Sequence, residues 1–137
     1  MTAYIAARFS RKPEMLALAA LFAQHNIKVR ARWLNESVSP DATLHDVTPA
    51  YHTKTATDDI EDIDASDTII FFSEDPLVGT PRGGRHVEFG YALAKGKRVV
   101  VIGPPENTFH YLPGIINYST VDDFLEAEGI ENVSVAN

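Results

Sequence analysis

The chain has 137 residues, of which 45% are hydrophobic and 23% charged, and its formal net charge is −7 at pH 7. These values are ordinary for one globular domain, and they exclude a disordered chain and a membrane protein. The acidic balance argues against binding to long nucleic acid, because Lys and Arg contacts to phosphate dominate that affinity. The absence of cysteine excludes disulfides, zinc–thiolate sites and thiol nucleophiles.

Strand-like and helix-like segments alternate along the first half of the chain. A short apolar run over residues 4–7 predicts a strand, and the apolar spacing in residues 13–25 predicts a helix. Apolar and basic residues alternate over residues 27–33, which predicts a second strand with one basic face at a sheet edge. A long loop over residues 34–49 and a helix over residues 50–65 follow.

The second half continues the same alternation. Residues 68–72 and 98–102 are apolar runs without alternation, as expected of central strands covered on both faces. The other predicted elements are a helix over residues 85–95 that ends at Gly96, a short strand over residues 115–118, and a last helix that begins at Ser119 or Thr120 and stops at Gly129.

This alternation predicts an α/β fold with a mostly parallel sheet and helices on both faces. Five strands most simply give the flavodoxin-like, Rossmann-like three-layer sandwich with strand order 2-1-3-4-5, in one domain over residues 1–137. Ligands of such sheets bind beyond the carboxyl ends of the strands, where the order reverses. Those ends are residues 8–10 and 73–84, and Glu88 begins the helix that leaves the second of them.

Glu88 follows a glycine pair in the stretch GGRHVEFGYALAKGKRVVVIG. An early-helix acid is most simply a solvated residue that the helix dipole favours. Two features add a second interpretation. The predicted topology brings Glu88 to the ligand cleft, and the dipole is expected to keep its carboxylate ionised, as a nucleophile toward a sugar carbon requires.

The segments YIAARFS, TDDIEDIDASDTIIFF and GGRHVEFGYALAKGKRVVVIG make the chain resemble the nucleoside 2-deoxyribosyltransferase superfamily, which includes the deoxynucleoside 5'-monophosphate N-glycosidases. The resemblance covers nearly the whole chain. It implies that Glu88, in an E-x-G-x-A helix, attacks the anomeric carbon. It also implies that Asp59, eight residues before Asp67, handles the proton of the leaving base. Without the resemblance, Asp59 is most simply one acid in a solvated cluster, and Asp67 caps or ends a turn before the third strand.

The chemistry of the resemblance suits two carboxyl groups. N-glycosidic cleavage passes through an oxocarbenium-like state that a carboxylate below the sugar stabilises and can trap as a glycosyl-enzyme. A second acid protonates the leaving nitrogen. The implied activity is that of an N-glycosidase, with water as acceptor, or of a 2-deoxyribosyltransferase, with another base as acceptor.

Arg82 stands six residues before Glu88, where nucleoside-specific family members have an aspartate and monophosphate-specific members have a small hydroxyl residue. Arg82 and Arg85 are candidates to hold a 5'-phosphate, with the backbone N–H groups of Gly83 and Gly84 as further donors. A monophosphate is therefore the preferred substrate. The alternative is that both arginines lie on the surface of a loop.

Two more groups of residues complete the predicted site. Arg8 and Ser10, at the end of the first strand, resemble phosphate-side residues of the monophosphate glycosidases. Phe109 and His110 are candidates to line a base pocket, which in this family a neighbouring subunit often completes. The apolar loop over residues 108–112 predicts a homodimer or larger homo-oligomer.

The expected partner is a small-molecule nucleoside or nucleotide. No cofactor or metal is implied, since His45, His52 and His110 lack metal-ligand spacing. No apolar run approaches the roughly 20 residues of a transmembrane helix, and TAYIAA opens the chain without a signal-peptide pattern, so we expect a cytoplasmic protein with no membrane partner. A non-catalytic nucleotide-binding or signalling module on the same fold is the alternative function. The base, the sugar and the acceptor stay open.

Overall fold

The computed structural model describes residues 1–36, 47–75 and 83–128. Short 3-10 helices cover Phe9–Arg11, Arg32–Asn35 and Thr108–Tyr111. The strands and α-helices of the described ranges are β1 (Thr2–Ala6), α1 (Lys12–Gln24), β2 (Lys28–Val29), α2 (Pro49–Asp64), β3 (Thr68–Phe72), α3 (Gly84–Ala94), β4 (Arg98–Ile102), β5 (Ile116–Tyr118) and α4 (Val121–Glu128).

The strands form one parallel sheet in the order β2-β1-β3-β4-β5. This confirms the predicted α/β fold and strand order. Helices α1 and α4 share one face, where the rings of Phe22 and Phe124 are 5.8 Å apart. Helices α2 and α3 cover the other face, on which Phe71 of β3 packs against Phe89 of α3 at 5.6 Å. The result is a three-layer arrangement.

The core lies along the central strands. β3 is buried along its whole length, and β4 is buried from Val99 to Ile102. Burial of one such Val, Ile or Phe side chain stabilises the fold by about 1.5–3 kcal/mol. The uninterrupted apolar runs that predicted these two strands therefore reflect their position inside the sheet, with a helix layer on each side.

The predicted second strand is much shorter than expected. Strand pairing covers only Lys28–Val29, and a 3-10 helix follows at Arg32–Asn35. Trp33 is buried there, and its Nε1 donates to the Ile5 carbonyl oxygen at 2.9 Å. The prediction of a strand over residues 27–33 is wrong beyond Val29, because the apolar side chains are buried by irregular backbone that turns toward β1.

The ends of the helices follow local sequence signals. Thr48 caps α2 by accepting a hydrogen bond from the Tyr51 backbone N–H at 3.2 Å. Gly96, with φ +74°, lies just past the end of α3, where it was expected. Thr120 accepts from the Asp123 N–H at 3.1 Å at the start of α4. Gly129, the predicted end of that helix, and residues 37–46 of the predicted long loop lie outside the described residues.

Asp67 joins the starts of two strands. Its carboxylate accepts from the Thr2 backbone N–H at 3.0 Å and from the Thr68 hydroxyl at 2.7 Å. The residue therefore links β1 to β3 rather than capping a turn.

Across the described ranges, no helix is both long enough and apolar enough to cross a membrane.

Candidate active site

Tyr4 lies in the middle of β1 and is fully buried. A buried tyrosine hydroxyl requires a hydrogen-bond partner. Here it donates to Oε2 of Glu88 at 2.6 Å and so joins the sheet to α3. Tyr4 was not among the site residues expected from the sequence. The available signal was a hydroxyl-bearing side chain at the centre of the strand, between the apolar residues Ala3 and Ile5.

Glu88 lies in the second turn of α3 and points back over β1. Burial raises the pKa of its carboxyl group well above the usual value, and the negative charge of Asp59 raises it further. The hydrogen bond from Tyr4 opposes both effects. Burial and the neighbouring acid therefore act against the expectation that the helix dipole, an effect of about 0.3–1 kcal/mol, keeps Glu88 ionised.

Asp59 of α2 meets Glu88 between the two helices. Burial raises the pKa of Asp59 to about 6, while a hydrogen bond with Glu88 acts in the opposite direction. Oδ1 of Asp59 is buried and makes no hydrogen bond within the described ranges. The two carboxyl groups thus form an interacting pair in a poorly solvated position, and such a pair retains a proton at higher pH than an isolated, solvated acid would.

The other acids around Asp59 are neutralised. Asp58 accepts from Lys54 at 2.8 Å, and Asp62 pairs with Arg32 at 3.0 Å. In the described part of the chain, no Lys or Arg lies within ion-pair distance of Asp59. The acidic run of α2 therefore divides into ion-paired acids, of which Asp58 and Asp62 are buried, and one acid that turns toward Glu88. Solvation of Asp59 as part of the acidic cluster is not what the structure shows.

A second buried cluster anchors the start of α3. The guanidinium of Arg85 donates to both carboxylate oxygens of Glu106, at 2.5 and 2.6 Å, and lies over the ring of Phe71 at 5.1 Å. Glu106 also accepts from the Glu74 backbone N–H at 3.1 Å, and His86 Nε2 is 3.4 Å from it. The expected role of Arg85 in substrate binding is corrected: its charge is buried and paired, and it fixes α3 to the loop after β4.

Phe109 and His110, the two residues proposed to line a base pocket, lie in different environments. His110 is buried, accepts from the Glu106 N–H through Nδ1 at 3.0 Å, and packs 5.0 Å from the rings of Phe71 and Phe89. Burial lowers the pKa of His110, which favours the neutral imidazole. His110 therefore belongs to the core beneath α3, which corrects the prediction that it lines a base pocket. Phe109 is exposed. His86 contacts Phe71 of the sheet.

The loop after β1 presents two arginines toward the end of β3. Nη1 of Arg11 donates to Oε2 of Glu74 at 2.7 Å, and Nη1 of Arg8 is 4.0 Å from Oε1 of the same residue. Arg11 also pairs with Glu14 of α1 at 2.7 Å. Ser10 is exposed between the arginines. Arg11 was not expected, although it directly follows the residues that the strand-end rule selected.

Gly83 and Gly84 begin α3. Gly83 has φ +91°, a left-handed conformation that would strain any other residue, and it is the N-cap of the helix. Open space surrounds the position of a Cβ at both glycines. Arg82 lies outside the described residues, so its contact with phosphate stays a prediction. Among the residues that the structure describes, no group of three or more His, Asp or Glu side chains is placed to hold a metal ion.

The fold and the site together define a doubly wound α/β protein with a carboxyl pair beside its central strands. Among solved structures, the chain is similar to the Clostridium botulinum CMP N-glycosidase BcmB, with 18% identity, a TM-score of 0.57, and coverage of 95% of this chain and 99% of that one. It also aligns with a conserved protein from Enterococcus faecalis V583, with 17% identity, a TM-score of 0.49, and coverage of 97% and 87%. No family model matches the sequence, and no curated protein matches it. The likeness to BcmB confirms the fold that the resemblance implied.

Proposed function

We propose that the chain is a nucleotide N-glycosidase of the nucleoside 2-deoxyribosyltransferase superfamily. It cleaves the N-glycosidic bond of a nucleoside or deoxynucleoside 5'-monophosphate through a glycosyl ester of Glu88. The observation that carries the proposal is the half-buried pair of Glu88 and Asp59, with the Tyr4 hydroxyl donating to Glu88. The resemblance of the sequence and the fold shared with a CMP N-glycosidase support the same activity.

The proton balance of the pair suits this chemistry. Because burial raises the pKa of both carboxyl groups, we infer that the pair holds one proton near neutral pH. Transfer of that proton from Glu88 to Asp59 creates a carboxylate nucleophile and a carboxylic acid in one step. The Tyr4 hydroxyl stabilises this form, since it donates to the charged state of Glu88.

In the first step the Glu88 carboxylate bonds to the anomeric carbon as the bond from that carbon to the base nitrogen breaks. The electron pair of the broken bond passes to the base, and the proton of the Asp59 carboxyl group neutralises it. The products are a free base, a glycosyl ester of Glu88 and an ionised Asp59. The carboxylate also stabilises the positive charge that develops on the sugar before the ester forms.

In the second step Asp59 acts as a base. It accepts a proton from water while the water oxygen bonds to the anomeric carbon and the ester bond to Glu88 breaks. Two inversions leave the configuration of the sugar unchanged and regenerate both carboxyl groups. An acceptor base in place of water gives the transferase reaction, with its N–H proton passing to Asp59.

The 5'-phosphate is expected at the carboxyl ends of β1 and β3. Arg8, Arg11 and Ser10 supply cationic and hydroxyl donors there, and Arg82 with the N–H groups at the start of α3 supplies more. Phosphate binding at these ends agrees with the ligand position in other doubly wound sheets.

Base release from a panel of nucleosides and their 5'-monophosphates, followed by chromatography, tests the proposed function. We expect free base from at least one monophosphate, and none with a Glu88→Gln variant prepared in parallel, which controls for contaminating enzymes. A second assay with an added acceptor base separates hydrolase from transferase. A protein that binds nucleotides but releases no base from any of them would be the signalling module instead.

A further inference from the structure

Glu74 occupies an unusual position for a loop acid. It lies two residues after β3, its side chain is only 15% exposed, and it faces the loop that follows β1. Its two carboxylate oxygens are shared between two guanidinium groups, with Oε2 at 2.7 Å from Arg11 and Oε1 at 4.0 Å from Arg8. One carboxylate thus bridges two arginines from the neighbouring strand end.

The two arginines are not equally satisfied. Arg11 also makes two hydrogen bonds to Glu14, at 2.7 and 2.9 Å, on the outer side of α1. For Arg8, the ion pair found in the described ranges is the 4.0 Å contact with Glu74, and 26% of its side chain is exposed. Planar guanidinium groups bind carboxylate and phosphate oxygens in the same manner. Glu74 therefore holds the place that an anionic oxygen of a ligand would take.

This anion position lies where a ligand of the sheet is expected. β1 and β3 are paired neighbours, and the ends of both contribute to the cluster. Tyr4, which holds Glu88, precedes Arg8 by four residues, and Arg8 lies just after the end of β1, so the two Cα atoms are at most about 13 Å apart. A sugar phosphate together with an arginine side chain covers a distance of this order. A nucleotide with its anomeric carbon at Glu88 can thus direct its phosphate toward the arginines.

The backbone around Glu74 does not depend on its side chain. The Glu74 N–H donates to Glu106, which the buried Arg85 holds in place. The Glu74 carboxylate can therefore leave the arginines and turn to solvent while the loop stays anchored.

We propose that Glu74 is a specificity-determining residue that occupies the phosphate position of the Arg8–Arg11 site and must be displaced when a 5'-phosphate binds. The proposal rests on the proposed function for the identity of the molecule that carries the phosphate. It implies that Glu74 weakens phosphate binding by direct competition and reduces the preference for monophosphates over nucleosides.

The test measures inorganic phosphate binding to the full chain by isothermal titration calorimetry. Glu74→Gln removes the competing charge and keeps the shape, so phosphate should bind at least about 5-fold more tightly than to wild type. Glu14→Gln is the matched control, because Glu14 also pairs with Arg11 but from the 52% exposed outer side, and it should change affinity less than about twofold. Adding Arg8→Gln to Glu74→Gln should abolish the gain.

A kinetic readout follows if base release is found. The ratio of KM for a monophosphate to KM for its nucleoside should fall at least about 5-fold in Glu74→Gln, with kcat within about twofold. Glu74→Asp, which withdraws the charge by one methylene, gives a second variant should Glu74→Gln fail to fold, and its gain should be intermediate.

Unchanged or weaker phosphate binding in a folded Glu74 variant overturns the proposal, as does a gain that survives Arg8→Gln. These outcomes are separate from the proposed function. Tighter phosphate binding without base release from any nucleotide would support the anion site and reject the glycosidase. Base release with unaltered phosphate affinity would support the glycosidase and reject the anion site.

Discussion

The Tyr4 hydroxyl oxygen lies 2.6 Å from Oε2 of Glu88, so a residue at the centre of the sheet holds a carboxyl group of the second turn of α3. The two residues are 84 positions apart in the sequence. The bond fixes the direction in which Glu88 points. It also favours the ionised form of Glu88 against burial and the charge of Asp59, which both favour the neutral form.

Replacing Tyr4 by Phe tests this relationship. The variant removes the one interaction that lowers the pKa of Glu88, so the acidic limb of the pH profile of kcat/KM should shift to higher pH. A hydrogen bond to a charged group contributes about 1.5–3 kcal/mol, which corresponds to a loss of roughly 10- to 100-fold in rate. Tyr118→Phe is the control, because Tyr118 donates to Glu128 at 2.7 Å away from the site. An unchanged profile in Tyr4→Phe would exclude this role.

Glu88→Gln removes the nucleophile and keeps the shape of the side chain. We expect kcat to fall by at least about 10³-fold while nucleotide binding persists. Mass spectrometry of the wild type, quenched during turnover, should show a glycosyl adduct that is absent from the variant. Turnover by Glu88→Gln within tenfold of wild type would reject the covalent mechanism and direct attention to Asp59.

Burial makes the ionised form of Asp59 unfavourable for stability at neutral pH. A pKa raised from 3.8 to about 6 on folding means that the contribution of Asp59 to stability is complete below pH 3.8 and is lost as the pH rises through about 6. Asp59→Asn should therefore be more stable than wild type above about pH 6, by at most about 3 kcal/mol, and the difference should shrink toward about pH 4.

Urea unfolding of both proteins at about pH 4 and about pH 7.5 measures the effect. Asp58→Asn provides a control of opposite sign. The hydrogen bond from Lys54 lowers the pKa of Asp58 against the effect of burial, so the stability that Asp58 contributes is present at neutral pH and is lost as the pH falls. Equal pH dependence in wild type and Asp59→Asn would show that the pair does not hold a shared proton.

The sequence predicted the fold where local pattern and burial agree. β3 and β4 are apolar runs because both of their faces are covered, and their bounds were predicted correctly. The segment around Trp33 shows the limit of this reasoning. A strand and a 3-10 helix that turns its side chains inward can both bury alternate residues, so residues 30–33 were predicted as strand.

The site was predictable only in part, because its chemistry depends on contacts between distant segments. Glu88 and Asp59 were identified through a family resemblance, and nothing local in the acidic run of α2 distinguishes Asp59 from its ion-paired neighbours. Arg85 looked available for phosphate because its partner Glu106 lies 21 residues away. Whether a charged residue is free to bind a ligand depends on which opposite charge it pairs with in the fold. A single sequence does not show these pairs.

The buried pair of Arg85 and Glu106 should be important for stability. Glu106→Gln leaves the Arg85 guanidinium buried without a counter-charge, and loss of one partner of a buried ion pair costs about 3–5 kcal/mol. Arg85→Met combined with Glu106→Leu should recover much of this loss. It should not recover all of it, because the Glu74 N–H then lacks its acceptor, at a cost of about 1–3 kcal/mol.

Chemical denaturation followed by circular dichroism measures these differences. Glu128→Gln is the control, since its partner Arg98 is partly exposed and such a pair contributes about 0–1 kcal/mol. If Glu106→Gln and Glu128→Gln had similar effects, the cluster would not anchor α3, and the account of how the start of this helix is positioned would need to change.

The exposed aromatic side chains after β4 lead to a prediction about assembly. Phe109 and Tyr111 are 59% and 73% exposed, and Leu112 beside them is also exposed. Adjacent large apolar side chains on a surface are typical of interfaces. We expect a homodimer or larger homo-oligomer that buries this segment, and light scattering after size-exclusion chromatography should give a mass above 15.1 kDa.

Phe109→Ser with Tyr111→Ser should reduce that mass to the monomer value, whereas Leu16→Ser, at an exposed position on α1, should not. A catalytic rate that falls with dilution would further indicate that the neighbouring subunit completes the site. A wild-type mass that equals the monomer at every concentration would contradict the prediction.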